Sequence, residues 1–174
     1  MNLLLDTCAF ICFQAASDVL SRTARAAIPD SRNEVYMSAV SAWEIGRKYA
    51  SGALVLNASP DLLIPRVREE SGIESLPLME SDALMAEKLP RLHRDPFDRI
   101  LIAQALVNGM KIVTPDEAFH AYPVHLIGDR HGYGPQGVTT ATPSTGGPAA
   151  HEFDWIHGNF IPAVAWDTEE GKSR

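Results

Sequence analysis

The chain has 174 residues, 45% of them hydrophobic and 21% charged, and a formal net charge of −7. That length supports one domain with a full core plus an appendage and is short for two ordinary domains. The negative charge excludes a protein that grips nucleic acid by overall attraction, and no apolar run approaches the roughly 18 residues that a membrane span needs.

The N-terminal run NLLLD reads as a buried strand ending on a carboxylate. No basic region precedes its leucines, so it does not read as the core of a secretion signal, and a cytoplasmic location is expected. Helix-compatible sequence follows from Cys8. Cys8 and Cys12, the only cysteines, are four apart and read as reduced core thiols, with no further Cys to complete a zinc site. The next helix is predicted in SDVLSRTARAAI, where Val19, Leu20, Ala24, Ala27 and Ile28 share a face. EVYMS is a second strand, and SAWEIGRKYASG a helix with Ser41 as cap and Gly52 beyond its last turn. PDLLIPRVREESG is a further helix starting after Asn57, with Pro65 inside it counting against a single straight segment. IESLPL is a third strand and SDALMAEKL a helix. DPFDRILIAQALVNG carries the strongest helix signals, with Asp95 at the cap, Pro96 at the first position and Gly109 past the end. KIVTPD is a strand running into another Asp, and AYPVHLI a last short strand.

Strands alternate with helices through about residue 127, which predicts a parallel sheet covered on both faces. After Gly128 the segment GDRHGYGPQGVTTATPSTGGPAA is dense in Gly, Pro, Thr and Ser. The stretch 128 to 174 is expected to be a flexible or loosely docked tail, although Trp155 to Trp166 offers apolar side chains for docking.

Ligands of such sheets gather at the carboxyl ends of the strands. Asp6 follows the first strand, Glu44 lies in the first turn of the helix after the second, Asp98 lies in the first turn of the strongest helix, and Asp116 follows KIVT. If they converge, their mutual repulsion requires a counter-charge, and oxygen-only ligation suits Mg²⁺ or Mn²⁺. Each acid also has a simpler account. Asp6 can cap the next turn, Asp98 can complete a capping arrangement with Asp95, Glu44 can be a solvated helix acid, and Asp116 can cap the turn DEAFHAY. Asp95 is read as a helix start that need not touch metal. Thr7, Ser38 and Thr114 stand at strand ends, where a hydroxyl serves a carboxylate or a cap equally well. Arg99 is available to substrate phosphate or to a neighbouring acid, with the acid favoured. Trp43 is read as core rather than a base-stacking platform. His93, His120 and His125 share no spacing that suggests ligation.

The blocks LLLDTCAFI, SAVSAWEIGRK, HRDPFDRILIAQAL and IVTPDEAFHAYPV resemble the four signature regions of PIN-domain ribonucleases, in the order and spacing of VapC-type toxins of bacterial toxin–antitoxin pairs. The resemblance covers residues 1 to about 127 and leaves out the tail. It implies a PIN-like three-layer α/β/α fold with a central parallel sheet. It also implies a metal-binding catalytic quartet at Asp6, Glu44, Asp98 and Asp116, and hydrolysis of RNA with Mg²⁺ or Mn²⁺. Arg22, Arg25, Arg47 and Lys48 are then available to hold the RNA backbone, with ordinary surface charge the alternative for each. The implied partners are a VapB-type antitoxin and a second copy of the chain. Two other readings compete. An aspartyl-phosphate hydrolase or receiver usually carries a second acid two residues after the first strand's Asp, and position 8 is Cys. A non-catalytic PIN-fold regulator that binds nucleic acid with a partner is disfavoured by the intact quartet.

Overall fold

The leucines of strand β1 (Asn2–Leu5) alternate between two cores, as a strand's side chains must. In the computed structural model, which describes residues 1–128, Leu3 and Leu5 enter one apolar cluster and Leu4 the other. All three are fully buried, so β1 is covered on both faces. It pairs in parallel with β2 (Glu34–Ser38) on one side and β4 (Lys111–Val113) on the other. Outside these lie β3 (Ile73–Leu76) and β5 (His125–Ile127), giving the order β3-β2-β1-β4-β5 among the described residues, with every neighbour parallel.

Helices α1 (Thr7–Gln14), α2 (Arg22–Ala27), α3 (Ala39–Ala50) and α4 (Pro60–Ser71) supply Phe10, Ala24, Ile45 and Val67 to the cluster of Leu3 and Leu5. Helices α5 (Glu80–Lys88) and α6 (Pro96–Asn108) supply Ala86, Leu101 and Ile102 to the cluster of Leu4, where Phe119 and Tyr122 close the packing. This is the three-layer α/β/α arrangement with a central parallel sheet. No helix among the described residues is long and apolar enough to cross a membrane. Apart from Gly128, the expected tail at 128 to 174 lies outside the described residues.

Three helix boundaries differ from expectation. The helix predicted through SDVLSRTARAAI begins only at Arg22, because Ser21 accepts the Ala24 N–H at 3.1 Å and caps it there. Ser38, not Ser41, caps α3 by accepting the Val40 N–H at 3.0 Å, which moves Glu44 from the first turn into the second. Helix α4 starts after Ser59 and runs uninterrupted past Pro65, which sits on its exposed side. Helix α6 matches its signals: Asp95 accepts the Phe97 N–H at 2.8 Å, and Gly109 ends the helix at φ 62°.

Candidate active site

Sheet register builds the site. Leu5 stands beside Met37 and Val113, so the residues that follow, Asp6, Ser38 and Thr114, form a row along the carboxyl edge. Asp6 caps α1 by accepting the Ala9 N–H, and its other oxygen accepts the Thr114 hydroxyl. Thr114 Oγ1 in turn accepts the Asp116 N–H at 2.9 Å. The carboxyl of Asp6 is almost completely buried, and desolvation pushes its pKa up to about 7. The Thr114 and Ala9 hydrogen bonds oppose that rise, and the charges of Asp116 and Glu44 add to it.

Glu44 reaches the same edge from α3. Thr7 Oγ1 donates to its Oε2 at 2.6 Å, and Lys48 Nζ pairs with its Oε1 at 2.6 Å, one helical turn on. Asp98 lies in the first turn of α6, but the capping bond there is made by Asp95, which leaves the Asp98 carboxyl unspent. Its pKa is pushed up to about 9, first by desolvation and then by the charges of Asp95, Asp6, Glu44 and Asp116. The structure thus brings all four acids within electrostatic reach of one another. Asp116 also caps the 3₁₀ turn Glu117–Ala121, accepting the Ala118 N–H at 2.8 Å. Capping and site membership coexist in Asp6 and Asp116, because a carboxylate has about four acceptor positions.

His93, read from sequence as an ordinary polar residue, belongs to this cluster. Its Nε2 lies 3.4 Å from Asp98 Oδ2 and 3.6 Å from Asp116 Oδ2. Ligand atoms of His93, Asp98 and Asp116 all fall within 4.8 Å of one another. Nδ1 accepts the Asp95 N–H at 3.2 Å, which puts the ring proton on Nε2, facing the two carboxylates. The ring has an edge contact with Phe119 at 5.8 Å, and the Tyr122 hydroxyl accepts the His93 backbone N–H at 2.8 Å, which holds the main chain there. The available sequence signal was the position of His93 inside the HRDPFDR block, five residues before Asp98; its approach to Asp116 is set by tertiary structure alone.

With Nε2 protonated, the groups that offer lone pairs are carboxylate oxygens. Among the described residues neither Asp6 nor Asp98 has a Lys or Arg partner. Crowded carboxyls without a cation, in an oxygen donor set, fit a hard divalent metal ion.

The remaining predicted residues divide. Thr7 and Thr114 hydrogen-bond acids of the site. Ser38 does not: its hydroxyl donates to Gln104 Oε1 at 2.6 Å, and Gln104 Nε2 continues to the Pro77 carbonyl at 3.0 Å. Arg99, for which a neighbouring acid is the favoured expectation, forms no ion pair with an acid among the described residues. It is buried, and its guanidinium donates to the carbonyls of Ala86 (2.6 Å), Leu89 (3.1 Å) and Pro90 (2.8 Å). Those carbonyls end α5, where helix termini leave acceptors unpaired. Arg22 is exposed on α2, and Arg25 donates to the Ser17 carbonyl. Arg47 is exposed next to the site. Trp43 is not core: it is 60% exposed. Cys8 and Cys12 are free thiols, their sulfurs 3.4 Å apart.

The PIN domain model matches residues 3–124. No curated protein matches the chain. Among solved structures, the chain is similar to VapBC2 from Rickettsia felis bound to a DNA fragment from their promoter, at 13% identity and TM-score 0.54, covering 72% of this chain and 97% of that one. It is also similar to VapBC-1 from nontypeable Haemophilus influenzae, at 15% identity and TM-score 0.51, covering 72% and 96%. FitAB bound to an IR36 DNA fragment gives 22% identity and TM-score 0.50, covering 71% and 92%. Identities this low speak for the fold alone. The family model spans most of the chain, and its span contains Asp6, Glu44, Asp98 and Asp116: the chain belongs to the PIN domain family.

Proposed function

We propose that the protein is a Mg²⁺- or Mn²⁺-dependent ribonuclease, the toxin of a VapBC-type pair, that hydrolyses RNA phosphodiesters at the carboxyl edge of its sheet. The observation that carries this reading is the pair Asp6 and Asp98, crowded, buried carboxyls that among the described residues have no Lys or Arg partner and whose pKa values are raised to about 7 and about 9. Capping explains the contact of Asp6 with Ala9 but not the crowding of buried carboxyls, and a cation offsets that cost.

Asp6, Asp98 and Asp116 would hold the metal ion. When bound, it supplies positive charge against the phosphate and acidifies water. The chain's own residues set the rest. Thr114 fixes the orientation of Asp6. Thr7 and Lys48 hold Glu44, which orients the attacking water. The His93 Nε2–H steadies Asp98 and Asp116 side by side.

The same reading, through the sequence resemblance, gives the protein a VapB-type antitoxin partner and a homodimeric state. A cationic side chain from that partner would neutralise the acids and displace the metal ion. The test is cleavage of RNA by the purified chain with Mg²⁺ or Mn²⁺, stopped by chelator. Full cleavage in chelator overturns the metal mechanism. Co-expression with an adjacent small open reading frame is expected to restore growth and yield a stable complex.

A further inference from the structure

A groove of about 530 Å³ has Glu44, Arg47, Lys48, Asp95 and Phe97 among its lining, and Trp43, outside that lining, contacts two of these residues, Phe97 and Arg47. An exposed tryptophan alone is unremarkable. This one is fixed: its ring meets that of Phe97 edge to face, 5.1 Å between centroids at 60°, and Phe97 is itself buried in the first turn of α6, one residue before Asp98. The Arg47 guanidinium lies over both rings, 5.8 Å from Trp43 and 5.6 Å from Phe97. A held indole, an exposed cation and a groove that opens onto Glu44 therefore adjoin the carboxylate cluster. The cation complements a phosphate, and the indole offers a flat apolar face.

We propose that the Trp43 ring and the groove next to it together form a nucleotide subsite for single-stranded RNA, in which an unpaired base stacks on Trp43 while Arg47, which lines the groove, receives the phosphate next to the cleaved bond. The inference rests on the nuclease reading and deepens it. Stacking needs a base free of its duplex partner, so the subsite selects single strands and loops. It tolerates any base, because every base has a π face. Sequence preference, if the enzyme has one, then arises elsewhere.

The test uses the full chain carrying Trp155→Phe and Trp166→Phe, which leaves Trp43 as the only tryptophan of three. Its fluorescence is titrated with a 2′-O-methyl oligouridylate and with an abasic oligomer of equal length. Saturable quenching by the first and not the second is expected. In steady-state cleavage, Trp43→Ala should raise KM by roughly 5- to 150-fold, the range of one lost base stack, with kcat changed far less. Trp43→Phe should recover much of that loss, and melting of the variants should match the parent. Equal quenching by the abasic oligomer overturns the proposal, as does intact RNA cleavage with no response of Trp43; in both cases the nuclease reading stands. Base-dependent quenching in a protein that cleaves no RNA leaves the subsite standing and fells the nuclease reading. A Trp43 signal moved only by a bound partner polypeptide assigns the groove to that partner and overturns the proposal.

Discussion

The Nε2 of His93 lies 3.4 Å from Oδ2 of Asp98, on the side of the ring opposite the atom that accepts the Asp95 N–H. One imidazole thus joins the cap of α6 to an acid of the site. Replacing His93 by Ala removes the proton that faces Asp98 and Asp116. Outer-shell changes of this kind cost roughly 10- to 100-fold in metal affinity or activity. Calorimetric titration of Mn²⁺ into His93→Ala checks this, and parental affinity together with parental cleavage would remove His93 from the site.

Asp6→Asn and Asp98→Asn should lower cleavage by roughly 10²-fold or more, in line with loss of a group that supports transition-state charge. Without metal they should melt no lower than the parent, because each substitution removes a carboxyl that burial and like charge disfavour. Asn keeps the oxygen that caps α1 at position 6, so the comparison separates charge from capping. Metal-free variants that melt well below the parent would make these acids structural.

The same two carboxyls fix a pH dependence. Their folded values, about 7 and about 9, lie above the 3.8 of an unperturbed Asp, so the folded state binds protons more tightly than the unfolded chain. Their contribution is fully present below about pH 4 and is lost as pH rises through 7 and then 9. Metal-free protein should therefore lose stability across that window, and Asp98→Asn should remove the upper part of the loss. Urea titrations between pH 5 and 9 in chelator provide the measurement; stability that rises over this range contradicts the assignment.

Arg99→Ala should destabilise the fold by about 2–4 kcal/mol, since it strands buried carbonyls at the end of α5 and removes a charged donor. At temperatures where the variant stays folded, its KM for RNA should equal the parent's. A KM effect without a stability effect would return Arg99 to the substrate.

The residues that sequence reading placed well are those whose signals are local. Asp95-Pro96 and Gly109 fixed both ends of α6, and the strand EVYMS coincides with β2 because its β-branched and aromatic residues fall between turn signals. Asp6, Asp98 and Asp116 were legible because a strand end and a helix start each announce themselves within a few residues. Side chains whose roles depend on what arrives from far along the chain were not. Arg99 follows Asp98 and was assigned to acid or phosphate, yet the carbonyls it meets belong to α5, across a helix–helix contact that no spacing encodes. Trp43 falls among apolar neighbours in SAVSAWEIG, but Val40, Ser41, Glu44 and Ile45 form the buried face of α3 and leave Trp43 off it, against Phe97 of α6. His93 meets Asp116 for the same kind of reason.

The bond between Thr114 and Asp6 joins residues 108 apart. During synthesis Asp6 emerges 108 residues before Thr114, and in that interval β1 can pair with β2 but not yet with β4. A growing chain therefore carries no assembled carboxylate edge until the stretch through Asp116 has emerged. Products that stop short of β4 lack Thr114 and Asp116 and leave β1, central in the whole sheet, as a bare edge open to pairing with other chains. If the finished enzyme cuts the RNA of the cell that makes it, this strand order withholds that activity from each nascent copy until the domain is nearly whole.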